Sequence, residues 1–185
     1  GNGVFETGYK VLLRSFLNDF SREDHINGSY IFIENRTGTL NFDEWVNALY
    51  AQFRDNIDGK WDYEIGIRTE HTANNGSVKN LNVDFENSYI NLFPNVTIGY
   101  ALSDNQNISL SYGKRINRPS LGQLNPFTDI TDSLTQRSGN PALLPEISNN
   151  IELGFSRNVR KGSVLAKLFY RNSKNSILPF TILRQ

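Results

Sequence analysis

The stretch Trp61-Asp62-Tyr63-Glu64-Ile65-Gly66-Ile67-Arg68-Thr69-Glu70 decides the fold. Its odd positions are Trp, Tyr, Ile, Ile and Thr. Its even positions are Asp, Glu, Gly, Arg and Glu. Successive side chains of a strand point to opposite faces, so this segment is a ribbon with one apolar and one charged face. The same alternation returns in Ile108 to Asn117, where Ile108, Leu110 and Tyr112 oppose Ser109, Ser111, Gly113, Arg115 and Asn117. It returns again where Ile151, Leu153 and Phe155 oppose Glu152, Gly154 and Ser156.

Four further segments are less regular. In Phe5 to Leu13, Phe5, Thr7, Tyr9, Val11 and Leu13 oppose Glu6, Gly8, Lys10 and Leu12. In Ile90 to Tyr100, Ile90, Leu92, Val96, Ile98 and Tyr100 oppose Asn91, Phe93, Asn95, Thr97 and Gly99. Pro94 cannot donate to a ladder and predicts a bulge or a weak start there. Val164, Ala166, Leu168 and Tyr170 face away from Lys167 and Arg171. Trp45 to Phe53 is apolar on both faces, and a short helix competes with a strand there. The total is seven strands of about 10–14 residues. Globular strands average about 5–6 residues, whereas a tilted membrane-spanning strand needs about 9–11.

The connections alternate in length. Asn18 to Leu40, Ala73 to Glu86 and Pro119 to Ile147 read as long loops. Asp55 to Lys60, Ser103 to Asn107 and Asn158 to Gly162 read as short turns. Outer-membrane barrels sort their connections this way, with short periplasmic turns and long outer loops. The expected fold is therefore all-β, an antiparallel up-and-down meander of about 7–8 long strands, with polar faces toward a lumen and apolar faces toward lipid. Seven is odd, and bacterial single-chain barrels use even counts. Residues Phe180 to Gln185 are a candidate eighth strand, and no aromatic residue ends the chain. The expectation is a section of a larger transmembrane β-barrel, with residues 1–185 forming one partial barrel region.

Composition agrees and narrows the function. The 19 basic and 19 acidic side chains balance, which argues against a nucleic-acid partner. There is no cysteine, hence no disulfide framework and no thiolate metal site. No run approaches the roughly 18 apolar residues of a membrane helix. The start Gly1-Asn2-Gly3 carries no secretory signal, and with no Met anywhere it predicts a processed or excised piece. Asn occurs 24 times, a turn-rich composition. No nucleophile elbow, His-Glu-x-x-His or phosphate loop occurs. Asp43 and Glu44 are adjacent in a strand and so point to opposite faces, unable to share acid–base work. The expectation is a protein that is not an enzyme and binds no cofactor.

From about Tyr9 to Ile177 the sequence resembles the β-barrel of TonB-dependent outer-membrane receptors, in particular the outer membrane protein β-barrel type. The resemblance rests on Asn41 to Gln52, Gly66 to Thr72, Tyr89 to Pro94 and, most strongly, Leu110-Ser111-Tyr112-Gly113-Lys114-Arg115-Ile116-Asn117-Arg118-Pro119-Ser120. It continues through Gln123-Leu124-Asn125-Pro126-Phe127, Gly139-Asn140-Pro141-Ala142-Leu143-Leu144-Pro145-Glu146 and Asn150 to Phe155. Leu144 departs from the basic or polar residue common at that place. The resemblance implies a parent of about 22 strands with a plug domain and a TonB-binding segment, neither of which lies in these residues. It implies an importer in the outer membrane of a Gram-negative bacterium, with lipid, the TonB complex and a nutrient ligand as partners. Iron chelates, oligosaccharides, vitamins and peptides all remain open. The alternative is a β-sheet binding or structural surface protein, or a small self-contained outer-membrane barrel. An isolated piece with unpaired edge strands is expected to self-associate.

Seven residues around the longest loop are candidates for facing ligand or plug: Arg115, Asn117, Arg118, Asn125, Phe127, Asn140 and Glu146. Turn chemistry explains Pro119, Pro126, Pro141, Pro145, Asn125 and Asn140 of this loop structurally. Asp62, Glu64, Arg68, Glu70, Lys10 and Arg14 read as a solvated lumen wall with lateral ion pairs, or as a solute site. Trp45, Phe53, Trp61, Tyr63, Tyr89 and Tyr100 read as interfacial girdles, or as sugar-stacking rings. His25 and His71, on or near outer loops, are expected to be exposed rather than ligating. Arg157, Arg160 and Lys161 read as a solvated turn.

Overall fold

The computed structural model describes residues 3–34, 37–79, 83–127 and 137–181. Seven long strands form one antiparallel sheet: β1 (Val4–Phe20), β4 (Gly38–Ile57), β5 (Trp61–Val78), β6 (Val83–Ser103), β7 (Gln106–Asn117), β8 (Glu146–Val159) and β9 (Gly162–Lys174). Their spatial order is β1-β4-β5-β6-β7-β8-β9, the expected meander. A separate hairpin of β2 (Glu23–Ile26) and β3 (Ser29–Phe32) lies in the first long connection. Its turn, Asn27-Gly28, has both residues at positive φ, 52° and 85°, the backbone that a tight hairpin demands. Asp58 and Gly59 do the same between β4 and β5, at 54° and 65°.

Register fixes the faces. Glu70 pairs with Ala48 on β4 and Asn91 on β6. Arg14 pairs with Glu44, which pairs with Asn74. One face therefore carries Lys10, Arg14, Glu44, Ala48, Arg68, Glu70, Asn91, Ser111 and Glu152. The other carries Leu49, Phe53, Ile65, Ile67, Leu92, Ile98, Leu110 and Leu153, all exposed. That second face is the lipid surface. From Ile90 to Tyr100 its apolar side chains cover ten residue steps, about 26 Å of height at a tilt near 40°, against the roughly 25 Å of a barrel's apolar band. Trp45 to Phe53 is strand rather than helix. Val46 and Ala48 turn inward, Trp45, Leu49 and Phe53 outward, and that is why both faces looked apolar.

Above the band the polarity inverts. Near Trp45 and Ala73 the outward side chains become Asn41, Asp43, Asn75, Ser77, Asp84 and Glu86, whereas the inward ones become Phe16, Leu40, Phe42, Val78 and Phe85. Water replaces hydrocarbon outside at this height, and a roof of loop residues covers the inside. Leu40, Val78 and Phe127 form the buried apolar cluster there, flanked by Phe20, Val83, Phe85 and Leu121.

Three expectations are corrected. Ala73 to Glu86 is not a long loop: Ala73 to Val78 pairs with Val83 to Ser88, so β5 and β6 rise past the membrane as a hairpin. Pro94 lies in unbroken register opposite Ile67, and the irregularity falls at Ala101–Ser103 instead. Pro94 leaves a different mark, since the β6–β7 ladder stops at Asn95, the next residue. Phe180 and Thr181 are not in a strand, and residues 182–185 lie outside the described ones.

Candidate functional site

The site forms where the longest loop leaves β7 and crosses the inner wall. Arg118 follows the last residue of β7 and reaches back over β6 to β5 and β4. Its Nη2 donates to Glu70 Oε2 at 2.6 Å and to Thr72 Oγ1 at 3.2 Å. Its Nε lies 3.8 Å from Glu44 Oε1 and makes no hydrogen bond. Arg14 closes on Glu44 from β1, Nε to Oε2 at 2.7 Å, with Nη2 on the same oxygen. Arg68 closes on Glu70, Nε to Oε1 at 3.1 Å, and its guanidinium lies 5.1 Å from the Phe93 ring centroid. The carboxylates are 4% and 9% exposed. Buried carboxylates without partners are expensive, so three guanidiniums around two acids make this corner feasible.

The loop continues as a short roof. Ser120 and Gln123 make a capping box on α1 (Leu121–Leu124), with the Gln123 N–H donating to Ser120 Oγ and the Ser120 N–H to Gln123 Oε1 at 2.8 Å. Leu124 and Phe127 are buried. The Phe127 ring packs tilted against Phe20, centroids 5.1 Å apart, and occupies the space a Cβ on Gly38 would need. The two limbs of the loop are clasped: the Gly139 N–H donates to Asn125 O and the Asn140 N–H to Gln123 O, both 2.7 Å. A Cβ on Gly139 would sit 2.3 Å from Gln123 O, so glycine is required for this approach. Below Arg118 the inner wall borders an open cleft of about 380 Å³, lined by Lys10, Gln52, Arg68, Glu70 and Asn95 and by the apolar Leu12, Val46 and Ala48. Arg68 and Arg118 are engaged with Glu70, so the free donors among the described residues are Lys10, Gln52 and Asn95 beside an apolar wall, which suits a group of mixed character.

The predicted residues separate into two sets. Arg115, Asn117 and Glu146 lie on the inward face of β7 and β8, Asn117 paired with Glu146. Arg118, Asn125, Phe127 and Asn140 build the loop. Asn125 Oδ1 accepts from the Phe127 N–H at 3.0 Å, and Asn140 Oδ1 from the Ala142 N–H at 2.9 Å. Glu70 is not a solvated wall residue but a buried partner of Arg118. Phe53, Trp61, Tyr63 and Tyr100 do gather outward at the short-turn end, with Trp61 and Tyr100 centroids 4.5 Å apart and Phe53 and Tyr63 5.9 Å apart. Tyr89 departs from that group: it faces inward, beside Arg118 and Glu44. His71 is within β5 on the outward face, with Nε2 3.2 Å from Ser88 Oγ, and His25 packs 5.1 Å from the Tyr30 ring. Among the described residues no group of three or more His, Cys, Asp or Glu could hold a metal.

Sequence reading missed Glu44, Thr72 and Tyr89. Their signal was parity. Counting in twos from Asn91 puts Tyr89 on the polar face, and counting from Glu70 puts Thr72 there too.

Comparison with known proteins gives three results. The outer membrane protein beta-barrel family matches residues 1–184. No curated protein matches the chain. Among solved structures, the ferric yersiniabactin uptake receptor FyuA from Yersinia pestis superimposes with a TM-score of 0.59 at 15% identity, over 92% of this chain and 26% of that one. The Serratia marcescens hemophore receptor HasR, a double mutant solved with its hemophore HasA and heme, gives 0.54 at 14%, over 91% and 33%. The chain thus spans about a quarter to a third of these receptors' length, and at this identity the likeness is one of fold. Wall, band and family match agree: the chain belongs to the outer membrane protein beta-barrel family and resides in the outer membrane of a Gram-negative bacterium.

Proposed function

We propose that this chain is a section of the barrel wall of a TonB-dependent importer, and that the Arg118 loop shapes the outer mouth of its lumen. The observation that carries this is the inward fold of the longest loop. It covers the inner wall and leaves a cleft of mixed polarity beneath, an arrangement suited to retaining a solute on its way through. Arg115, Asn117 and Glu146 are the residues we assign to ligand or plug contact. Arg118, Asn125, Phe127 and Asn140 hold the loop in shape. The similar barrels belong to receptors for a ferric siderophore and for a heme-carrying hemophore, which supports an iron chelate as cargo, with oligosaccharides, vitamins and peptides as the other classes. The plug and the TonB contact belong to the rest of the full-length protein. No bond is made or broken; the work is capture, plug displacement and passage.

The test is uptake by cells carrying the full-length gene, the gene without its plug region, or no functional TonB. A panel of labelled iron chelates, glycans, vitamins and peptides is offered. The reading expects at least one compound to be imported only by the intact system. Equal uptake of every compound by all three strains would overturn it.

A further inference from the structure

The root of the longest loop carries two polar atoms that the Arg118 corner leaves without partners. Arg118 Nε and Asn74 Oδ1 are both sealed from solvent, and neither hydrogen-bonds another described residue. The first is a donor and the second an acceptor. A buried polar atom without a partner is costly, and native interiors hold few of them. Two of opposite sense beside one small pocket form a pattern, because a single group can satisfy both.

Register explains why they meet. Arg14, Glu44, Asn74 and Asn87 make one inward rung across β1, β4, β5 and β6. Arg118 comes onto this rung from the end of β7, with Nε 3.8 Å from Glu44 Oε1, past hydrogen-bond reach. Beside that gap lies a pocket of about 20 Å³ to which Glu44, Asn74 and Arg118 all contribute. Phe42 and Phe85, on the next inward rung, wall it on one side, and Pro119, Leu124 and Pro145 of the loop cover it. One water needs roughly 10–15 Å³ of such space, so the pocket has room for one.

The chemistry of the rim selects the occupant. The Arg118 guanidinium repels a cation. The Glu44 carboxylate and the Asn74 carbonyl oxygen repel an anion. What suits all three is a neutral molecule that both donates and accepts, and the volume restricts it to water. Its oxygen accepts from Arg118 Nε, and its two hydrogens go to Asn74 Oδ1 and Glu44 Oε1. That gives about three hydrogen bonds, the usual number for a buried water. A separation of 3.8 Å between Arg118 Nε and Glu44 Oε1 is also one that a bridging water spans.

We infer that the root of the longest loop holds one structural water, which bridges Arg118 to Asn74 and Glu44 and makes Asn74 a positioning residue for the loop. The bridge completes the tie from the end of β7 to β4 that Arg118 Nε does not make directly. The inference rests on the geometry of the corner and not on the importer reading, so either can fail alone.

The experiment is a crystal structure of the full-length protein, unaltered and as N74L, at a resolution that shows ordered water. The unaltered protein should show one peak within roughly 2.7–3.2 Å of both Arg118 Nε and Asn74 Oδ1. In N74L the acceptor is gone and apolar atoms fill the pocket, so the peak should vanish. Arg118 Nε is then buried and unsatisfied, and exchange at the Gly139 and Asn140 clasp amides should quicken about fivefold, with β4 amides unchanged. No peak between the two atoms in the unaltered protein, or Arg118 Nε seated directly on Glu44, would sink the inference whether or not N74L folds. Clasp exchange in N74L equal to that of the unaltered protein would remove the role given to Asn74.

Discussion

Replacing Arg118 by alanine removes the one cation shared by two buried carboxylates. Breaking a buried ion pair from one side costs about 3–5 kcal/mol, because the abandoned charge stays desolvated. Here the loss is smaller. Glu44 keeps Arg14 and Glu70 keeps Arg68, although these partners are 40% and 46% exposed and so bind more weakly. About 2–3 kcal/mol is the expected cost. It should fall on the loop and not on the wall, since the strands on either side keep their ladders. The reporters are the amides of Gly139 and Asn140, whose N–H groups close the clasp. Their hydrogen exchange in detergent micelles should quicken about 30- to 150-fold in R118A, with amides of β4 and β5 unchanged. Unaltered exchange at the clasp would mean that Arg118 does not hold the loop. An equal rise along β4 and β5 would mean that it holds the barrel. Either result refutes the latch.

Three further outcomes follow from the same geometry. I65R places a cation at mid-band on the lipid face and should cost about 2–4 kcal/mol of folding stability in lipid vesicles, whereas E64R on the inner face should cost well under 1, as read by urea titration of tryptophan fluorescence. F127A removes a ring from the Leu40–Val78 cluster; with a typical core cost of about 3–5 kcal/mol, it should make the loop a preferred protease site while the sheet resists cleavage. G139A drives a Cβ against Gln123 O and should cost about 1–3 kcal/mol, read as faster exchange at the Asn140 amide.

The wall was legible because its two solvents differ. Trp61 to Glu70 alternates cleanly where one face meets lipid and the other the lumen, and its faces are as read. The same strand stops being legible at Ala73. There Asn74, Asn75, Gly76 and Ser77 read as turn residues, yet they continue the ladder, since water on the outside no longer demands apolar side chains. Phe85 and Phe42, inward above that line, carry apolar character on the face that is polar below it. A period-two reading that assumes one sense along the whole strand loses the thread where the environment changes. Trp45 to Phe53 resisted orientation for a related reason: Val46 and Ala48 fill the inner wall beside the buried acids, so neither face is polar. Of the candidate site, the inward projection of Arg115 and Asn117 followed from alternation. The Arg118–Glu44–Glu70 corner did not, because it joins β4, β5 and the end of β7. Only strand register and the inward turn after Asn117 bring those three together.

The clasp between Asn125 and Gly139 works like a cuff at the wrist of a glove. Two backbone hydrogen bonds at the neck decouple the hand from the arm. A pull on the loop is met at that neck, by the two bonds and by the seated Phe127 ring, before it reaches the barrel staves, and the garment keeps its cut.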